Sequence, residues 1–175
     1  MAEREEHDAF ADLLRSRGTE VFYVEELLAQ VLENSDVKSE FIDDLLTGSH
    51  IQNPRLRETL SAYINSQSAA EIAKIAIGGV NKKDISDKYD DDSLWDYVNK
   101  DYPLYINPVP NLYFMRDPAA VIGNWISINS MQTETRRREP KLIKYIYENH
   151  PQFKRELSPL WYEPSIPYSM EGGDM

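Results

Sequence analysis

The chain has 175 residues, 41% of them apolar, and its 30 acidic against 19 basic side chains give a net charge of −11 with no cysteine at all. That length holds one domain or a domain with an insertion, and the acidic balance disfavours nucleic acid, whose phosphates need a basic surface, while suiting a cationic small molecule. The missing thiol excludes disulfides, thiolate metal sites and a cysteine nucleophile within these residues, and no apolar run approaches the roughly 20 residues of a membrane span or the core of a signal peptide, so a cytosolic protein without membrane contact is expected.

From Glu5 to Arg17, Phe10, Leu13 and Leu14 recur at helical spacing and Gly18 stands at a helix stop; Glu20–Val24 then reads as a short strand. A helix followed by a buried strand is half of an α/β unit, so the sequence is expected to begin mid-unit. Between Glu25 and about Asp101 only helices are predicted: Glu25–Glu33, Asp36–Leu46, Pro54–Ser66, Ser68–Ile77 and a last one near Leu94–Lys100. Asn34 and Asn53 are positioned as caps, Ser68 with Glu71 as a capping box, and Gly78-Gly79 as a stop. Apolar stripes such as Phe41, Leu45, Leu46 and Leu60, Tyr63, Ile64 make this segment a helical bundle inserted into an α/β domain. The aspartates of Asp84–Asp92 lack the glycine and closing glutamate of a calcium loop and read as a solvated linker.

Pro108 and Pro110 lead into Asn111-Leu-Tyr-Phe-Met-Arg-Asp117, and Pro118 closes it, which predicts a short strand with Asn111, Tyr113, Met115 and Asp117 on one face and Leu112, Phe114 and Arg116 on the other. Ala119–Ile122 and Trp125–Ile128 around Gly123-Asn124 predict a hairpin. Arg136-Arg137-Arg138 opens a helix with Leu142, Ile143, Ile146 and Tyr147 on one stripe, Leu160–Tyr162 reads as another strand, and the chain runs past Pro164 and Pro167 to Glu171-Gly-Gly-Asp174.

Singly, these polar groups have plain readings: strand-end charges, a solvated arginine face, a glycine turn. Together they supply carboxylates that can take the parallel N–H fork of a guanidinium, and an arginine that can return the same fork to a carboxylate, which is the chemistry of a site for a guanidino amino acid. His7, His50 and His150 have no second ligand or nucleophile at a useful spacing and read as structural or solvated.

The order Asn111-Leu-Tyr-Phe-Met-Arg-Asp117-Pro118, hairpin, Arg136-Arg-Arg-Glu139, Glu171-Gly-Gly-Asp174 resembles bacterial arginine deiminases, as do Glu6-His-Asp8, Phe10-Ala11 and Gly18-Thr-Glu-Val21. Met115 stands where that family usually has threonine. The resemblance implies a partial pentein α/β propeller, residues 1–24 and 102–175, interrupted by a helical bundle at 25–101, and no cofactor. It also implies hydrolysis of L-arginine to citrulline and ammonia through a cysteine thiolate that attacks the guanidinium carbon. Carried over by motif, Asp117 would grip the guanidinium and Glu171 would hold its other side and help move protons; Arg136 and Asn111 would bind the α-carboxylate, Phe114 would pack on the aliphatic stem and Asp174 would line the site. Strand alternation sets Phe114 opposite Asp117, so a bend at the strand end is expected.

The family's nucleophilic cysteine, its His-x-Asp motif and a second carboxylate-binding arginine have no counterpart here, and the chain is expected to be the N-terminal portion of a deiminase, inactive alone, with sheet edges and apolar faces open to self-association. Two alternatives remain at this stage. One is a non-catalytic truncated product whose bundle is an interaction module. The other is an amidinotransferase or dimethylarginine hydrolase sharing the fold, against which the insertion between Val24 and Tyr102 argues.

Overall fold

A computed structural model describes residues 2–89, 97, 101–153, 159–162 and 168–175. It is a mixed α/β structure of helices and two small open sheets. α1 (Ala2–Ser16) leads through an extended segment to α2 (Val24–Val31), α3 (Ser35–Gly48), α4 (Pro54–Asn65) and α5 (Ala69–Gly78). β1 (Val80–Asn81) pairs antiparallel with β2 (Leu104–Ile106), β3 (Ala119–Ile122) with β4 (Trp125–Ile128), and α6 (Arg138–Asn149) crosses from β4 to the parallel β5 (Leu160–Tyr162).

The helix boundaries follow from local chemistry. Asn34 Oδ1 accepts from the N–H groups of Asp36 and Val37, and Asn53 Oδ1 accepts from those of Arg55 and Leu56, with Pro54 in the first turn where its missing N–H is harmless. Ser68 Oγ accepts from the Glu71 N–H, but the Glu71 carboxylate turns outward to Lys74 Nζ at 2.6 Å. Gly79 ends α5 at φ 83°, and a Cβ there would run into the Ile106 carbonyl, so glycine lets β1 lie against β2.

α2 packs on α5 and α6, α3 on α4 and α6, and α4 on α5. Leu28, Leu60, Ile64 and Ile72 are fully buried at the centre, each stabilising the fold by about 1.5–3 kcal/mol, and Leu142, Tyr145 and Ile146 of α6 belong to the same cluster. His150, after α6, is a satisfied core group: its Nδ1 accepts from the Gln152 N–H, so Nε2 carries the proton and donates to Gln30 Oε1 at 2.7 Å. Burial, and then the nearby Asp44, push the Tyr145 hydroxyl well above its ordinary pKa.

One expectation fails here. Glu20–Val24 is not a strand: residues 19–23 belong to no regular element and have no ladder partner among the described residues, and Val24 already begins α2, where Glu25 and Glu26 favour the helix N-terminus. The helix expected over Glu5–Arg17 is present as α1; among its described side chains only Ala11 is buried, Leu14 is half-buried, and Phe10 and Leu13 face solvent. The helix expected near Leu94–Lys100 and the path past Pro164 and Pro167 lie outside the described residues, apart from Tyr97, which is helical. Among the described residues no helix is long and apolar enough to cross a membrane.

Candidate functional site

The stretch 111–117 is a run of tight turns, which corrects the predicted strand. Pro110 sits in the first turn of a 3-10 segment, Pro110–Tyr113, where its fixed φ and lack of N–H favour helical rather than extended geometry. The N–H groups of Phe114, Met115 and Asp117 then reach back to the carbonyls of Asn111, Tyr113 and Phe114 at 2.9, 3.1 and 3.0 Å. Period-two alternation therefore never applies, and Phe114 is half exposed, packed edge-on against Tyr113 at 4.4 Å between ring centroids.

Asp117 is fixed by the far end of the hairpin. Asn129, fully buried just after β4, donates from Nδ2 to the Asp117 carbonyl at 2.6 Å and from its backbone N–H to the Pro118 carbonyl at 2.9 Å; Ser127 Oγ donates to its Oδ1 at 2.5 Å. A buried amide satisfied at each of these groups is stiff, so the Asp117 backbone is held from below.

Glu171 arrives from the other direction. Met170 N–H donates to the Ser130 carbonyl at 2.9 Å in an isolated antiparallel bridge, and the Gln132 N–H donates to Glu171 Oε1 at 3.1 Å. The Glu171 N–H is taken by Asp174 Oδ2 at 2.8 Å and the Asp174 N–H by the Glu171 carbonyl at 2.9 Å, which folds Gly172–Asp174 into a 3-10 turn. Gly172 is obligatory in that turn: a Cβ there would overlap the backbone of Arg116 and lie 3.0 Å from the Asp117 nitrogen, whereas one at Gly173 would meet nothing within 4 Å.

Arg136 joins the two carboxylates. Its Nη2 donates to Asp117 Oδ2 at 3.0 Å, its Nη1 to Glu171 Oε2 at 3.3 Å, and its other edge to Glu139, with Nη2 to Oε2 at 2.9 Å and Nε to both oxygens at 3.2 Å. Hydrogen bonding to Glu139 raises the already high Arg136 pKa, desolvation opposes it, and Asp117 raises it further. The three pairs are unequal. Glu139 is 1% exposed, so losing that partner costs about 3–5 kcal/mol, whereas Asp117 and Glu171 are each 29% exposed and their pairs lie nearer the ~0–1 kcal/mol of solvated ion pairs. Three carboxylates around one guanidinium leave an excess of negative charge.

Two clefts border this cluster, and Arg136 itself lines the smaller one. One, of about 730 Å³, is lined by Asp117, Gln132, Tyr162, Glu171 and Asp174 among others. The other, of about 370 Å³, is lined by Asn111, His50, Glu134, Arg136, Arg138 and Glu139 among others. The structure thus brings Asp117, Arg136 and Glu171 together, with Asp174 hydrogen-bonded to Glu171 and Asn111 lining the smaller cleft with Arg136, while Phe114 lines neither cleft.

Sequence reasoning missed four contributors. Glu139 entered only as the last residue of the Arg136–Glu139 motif, with no role at the site, and Asn129 as an ordinary strand end. Arg138, treated with its neighbours as one basic triple, is buried; it donates to the Asn107 carbonyl and approaches Ser49 Oγ at 3.4 Å, tying α3 to the entry of the 110–113 turn, and burial lowers its pKa. His50, read as structural or solvated, is exposed but lines the smaller cleft; it adopts φ 55° after α3 and pairs with Glu134 at 2.9 Å.

The family model described as arginine deiminase matches residues 2–175. The chain belongs to the arginine deiminase family. It is 44% identical over 173 residues to an arginine deiminase of Clostridium perfringens (strain SM101 / Type A) and 43% identical over 171 residues to one of Staphylococcus aureus (strain Newman), each match covering 98% of this chain. It spans about two fifths of the length of these curated relatives, 42% and 41% respectively.

Proposed function

We propose that the chain supplies the guanidinium-binding part of an arginine deiminase, which hydrolyses L-arginine to citrulline and ammonia. The observation that carries this reading is the convergence of Asp117 and Glu171 on a guanidinium, here that of Arg136, at the edge of a cleft with Asp174 on its wall. Paired carboxylates accepting from both terminal nitrogens match the planar fork of arginine and hold the carbon between them for attack. Asp117 orients the substrate guanidinium, Glu171 holds its other edge and moves protons as ammonia leaves, Asp174 lines the pocket, Asn111 and Arg136 bind the α-carboxylate, and Phe114 covers the aliphatic stem once a ligand draws it in. The covalent step needs a thiolate, which none of these 175 residues offers, so the nucleophile comes from elsewhere in the enzyme.

The mixed α/β architecture, with helices α2–α5 ahead of the segment that holds β2–β5, supports the further proposal that residues 1–24 and 102–175 contribute to a pentein propeller and 25–101 form its insertion. The test is citrulline release from L-arginine by the purified chain, alone and mixed with the C-terminal part of the Clostridium perfringens relative. Activity on mixing that is lost with Asp117→Asn supports the proposal. Activity on mixing that is indifferent to Asp117 and Glu171 contradicts it.

A further inference from the structure

We propose that Arg138 is a positioning residue for the carboxylate end of the ligand: it ties the turn that carries Asn111 to helix α3, so that affinity for the α-carboxylate, and not for the guanidinium, depends on it. This rests on the reading of Asn111 as a contact of the ligand's α-carboxylate.

Arg138 opens α6 and is buried, yet each of its hydrogen-bond partners is a neutral oxygen. Its Nη2 donates to the Asn107 carbonyl and approaches that of Pro108 at 3.5 Å, while Nη1 approaches Ser49 Oγ at 3.4 Å. Ser49 caps the C-terminus of α3 and its hydroxyl donates to the Leu45 carbonyl at 2.7 Å, which leaves the oxygen's lone pairs for the guanidinium. The negative end of the helix dipole favours a cation there. The stem lies against Gly48, where a Cβ would stand 3.3 Å from Arg138 Cγ. Arg138 is thus built as a join between α3 and the chain at 107–108.

That join reaches Asn111 through a stiff lead. Pro108 and Pro110 have fixed φ, so a shift at 107–108 is carried to Asn111 with little slack. Asn107, Pro108, Pro110, Asn111 and Arg138 line the smaller cleft together. Val109, buried and bonded through its N–H to the Ile77 carbonyl of α5 at 2.9 Å, secures the same segment from the core. Losing the Arg138 contacts therefore loosens the cleft wall while Val109 keeps the segment docked. The other end of the turn has a separate anchor, buried Asn129, which donates to the carbonyls of Asp117 and Pro118. The two ends of one ligand are set by different parts of the fold: Asn111 by α3 through Arg138, and Asp117 by the hairpin through Asn129.

Titration calorimetry of the full chain with L-arginine and with agmatine, which is arginine without its carboxylate, separates positioning from general support. Arg138→Lys keeps the charge but loses the planar fork that spans Ser49 and Asn107. It is expected to bind L-arginine about tenfold more weakly, the scale of one hydrogen bond to a charged group, with agmatine changed by less than about twofold. Gly48→Ala suits a helix and touches neither ligand, but it presses on the Arg138 stem and should move the preference in the same direction by a smaller factor. In both variants the Asn111 side-chain amide NMR signals should shift while those of Asn129 stay. An equal fall for both ligands shows general loosening and overturns the proposal, as does an unchanged preference in folded Arg138→Lys or, should that variant not fold, in Gly48→Ala. A wild type that binds neither ligand, or that does not prefer L-arginine to agmatine, contradicts the α-carboxylate reading of Asn111 and this inference with it. A wild-type preference that survives both substitutions leaves that reading intact and removes only the role of Arg138.

Discussion

Helices α2–α6 and the three-stranded sheet treat their apolar residues differently. In the helices, Leu28, Leu60, Ile64 and Ile72 are fully removed from water and their stripes face one another; on the strands, Val121, Trp125 and Trp161 stand about half or more exposed. A helix with one apolar stripe finds cover from the next helix in sequence, so its burial is local. A short strand beside a tight turn has less cover: Val121 and Trp125 lie on opposite faces of the hairpin next to its turn, and both stay exposed, as does Trp161 on β5. The site residues belong to the second region and its flanking turns, where side chains are positioned by single hydrogen bonds rather than by a packed core.

The largest effect should come where the two regions meet. Glu139→Ala removes the buried partner of Arg136 at the first turn of α6 and is expected to cost about 3–5 kcal/mol in denaturant unfolding, whereas exposed Glu134→Ala stays within about 0.5 kcal/mol. Next, Leu60→Ala should cost about 2–5 kcal/mol as a cavity in the bundle, and Val121→Ala on the open sheet face less than about 0.5 kcal/mol. Similar losses at both positions would dissolve the contrast. Gly172→Ala should cost about 1–3 kcal/mol in strain and detach Glu171 from the Gln132 N–H, seen as loss of that amide's NMR shift, with Gly173→Ala silent.

The smallest effect is pH-dependent. Burial and Asp44 raise the Tyr145 pKa in the folded state, so its contribution is complete below the unfolded value of about 10 and declines as pH rises beyond it, because the unfolded chain loses that proton first. Tyr145→Phe should flatten this alkaline decline and cost about 1 kcal/mol at neutral pH through the lost hydrogen bond to Asp44.

The same division governs what could be read from sequence. Helix caps at Asn34, Asn53 and Ser68, the stop at Gly79 and the hairpin at Gly123-Asn124 depend on neighbours a few residues away, and each was legible. Glu20–Val24 has strand composition but no partner strand among the described residues, and Asn111–Asp117 was set by one proline's preference for a tight turn over several residues' preference for extension. The carboxylates and the arginine were legible as a kind of chemistry, but their meeting was not. Arg136 reaches Asp117 across 19 positions and Glu171 across 35, and the closure depends on the Ser130–Met170 bridge and on buried Asn129, which no local pattern announces.

The most direct test of the account is calorimetric titration of the chain with L-arginine, wild type beside Asp117→Asn. A charged hydrogen bond contributes about 1.5–3 kcal/mol, so the variant should bind at least about tenfold more weakly. Binding of equal strength in the two proteins would contradict the assignment of Asp117 and Glu171 as a guanidinium clamp.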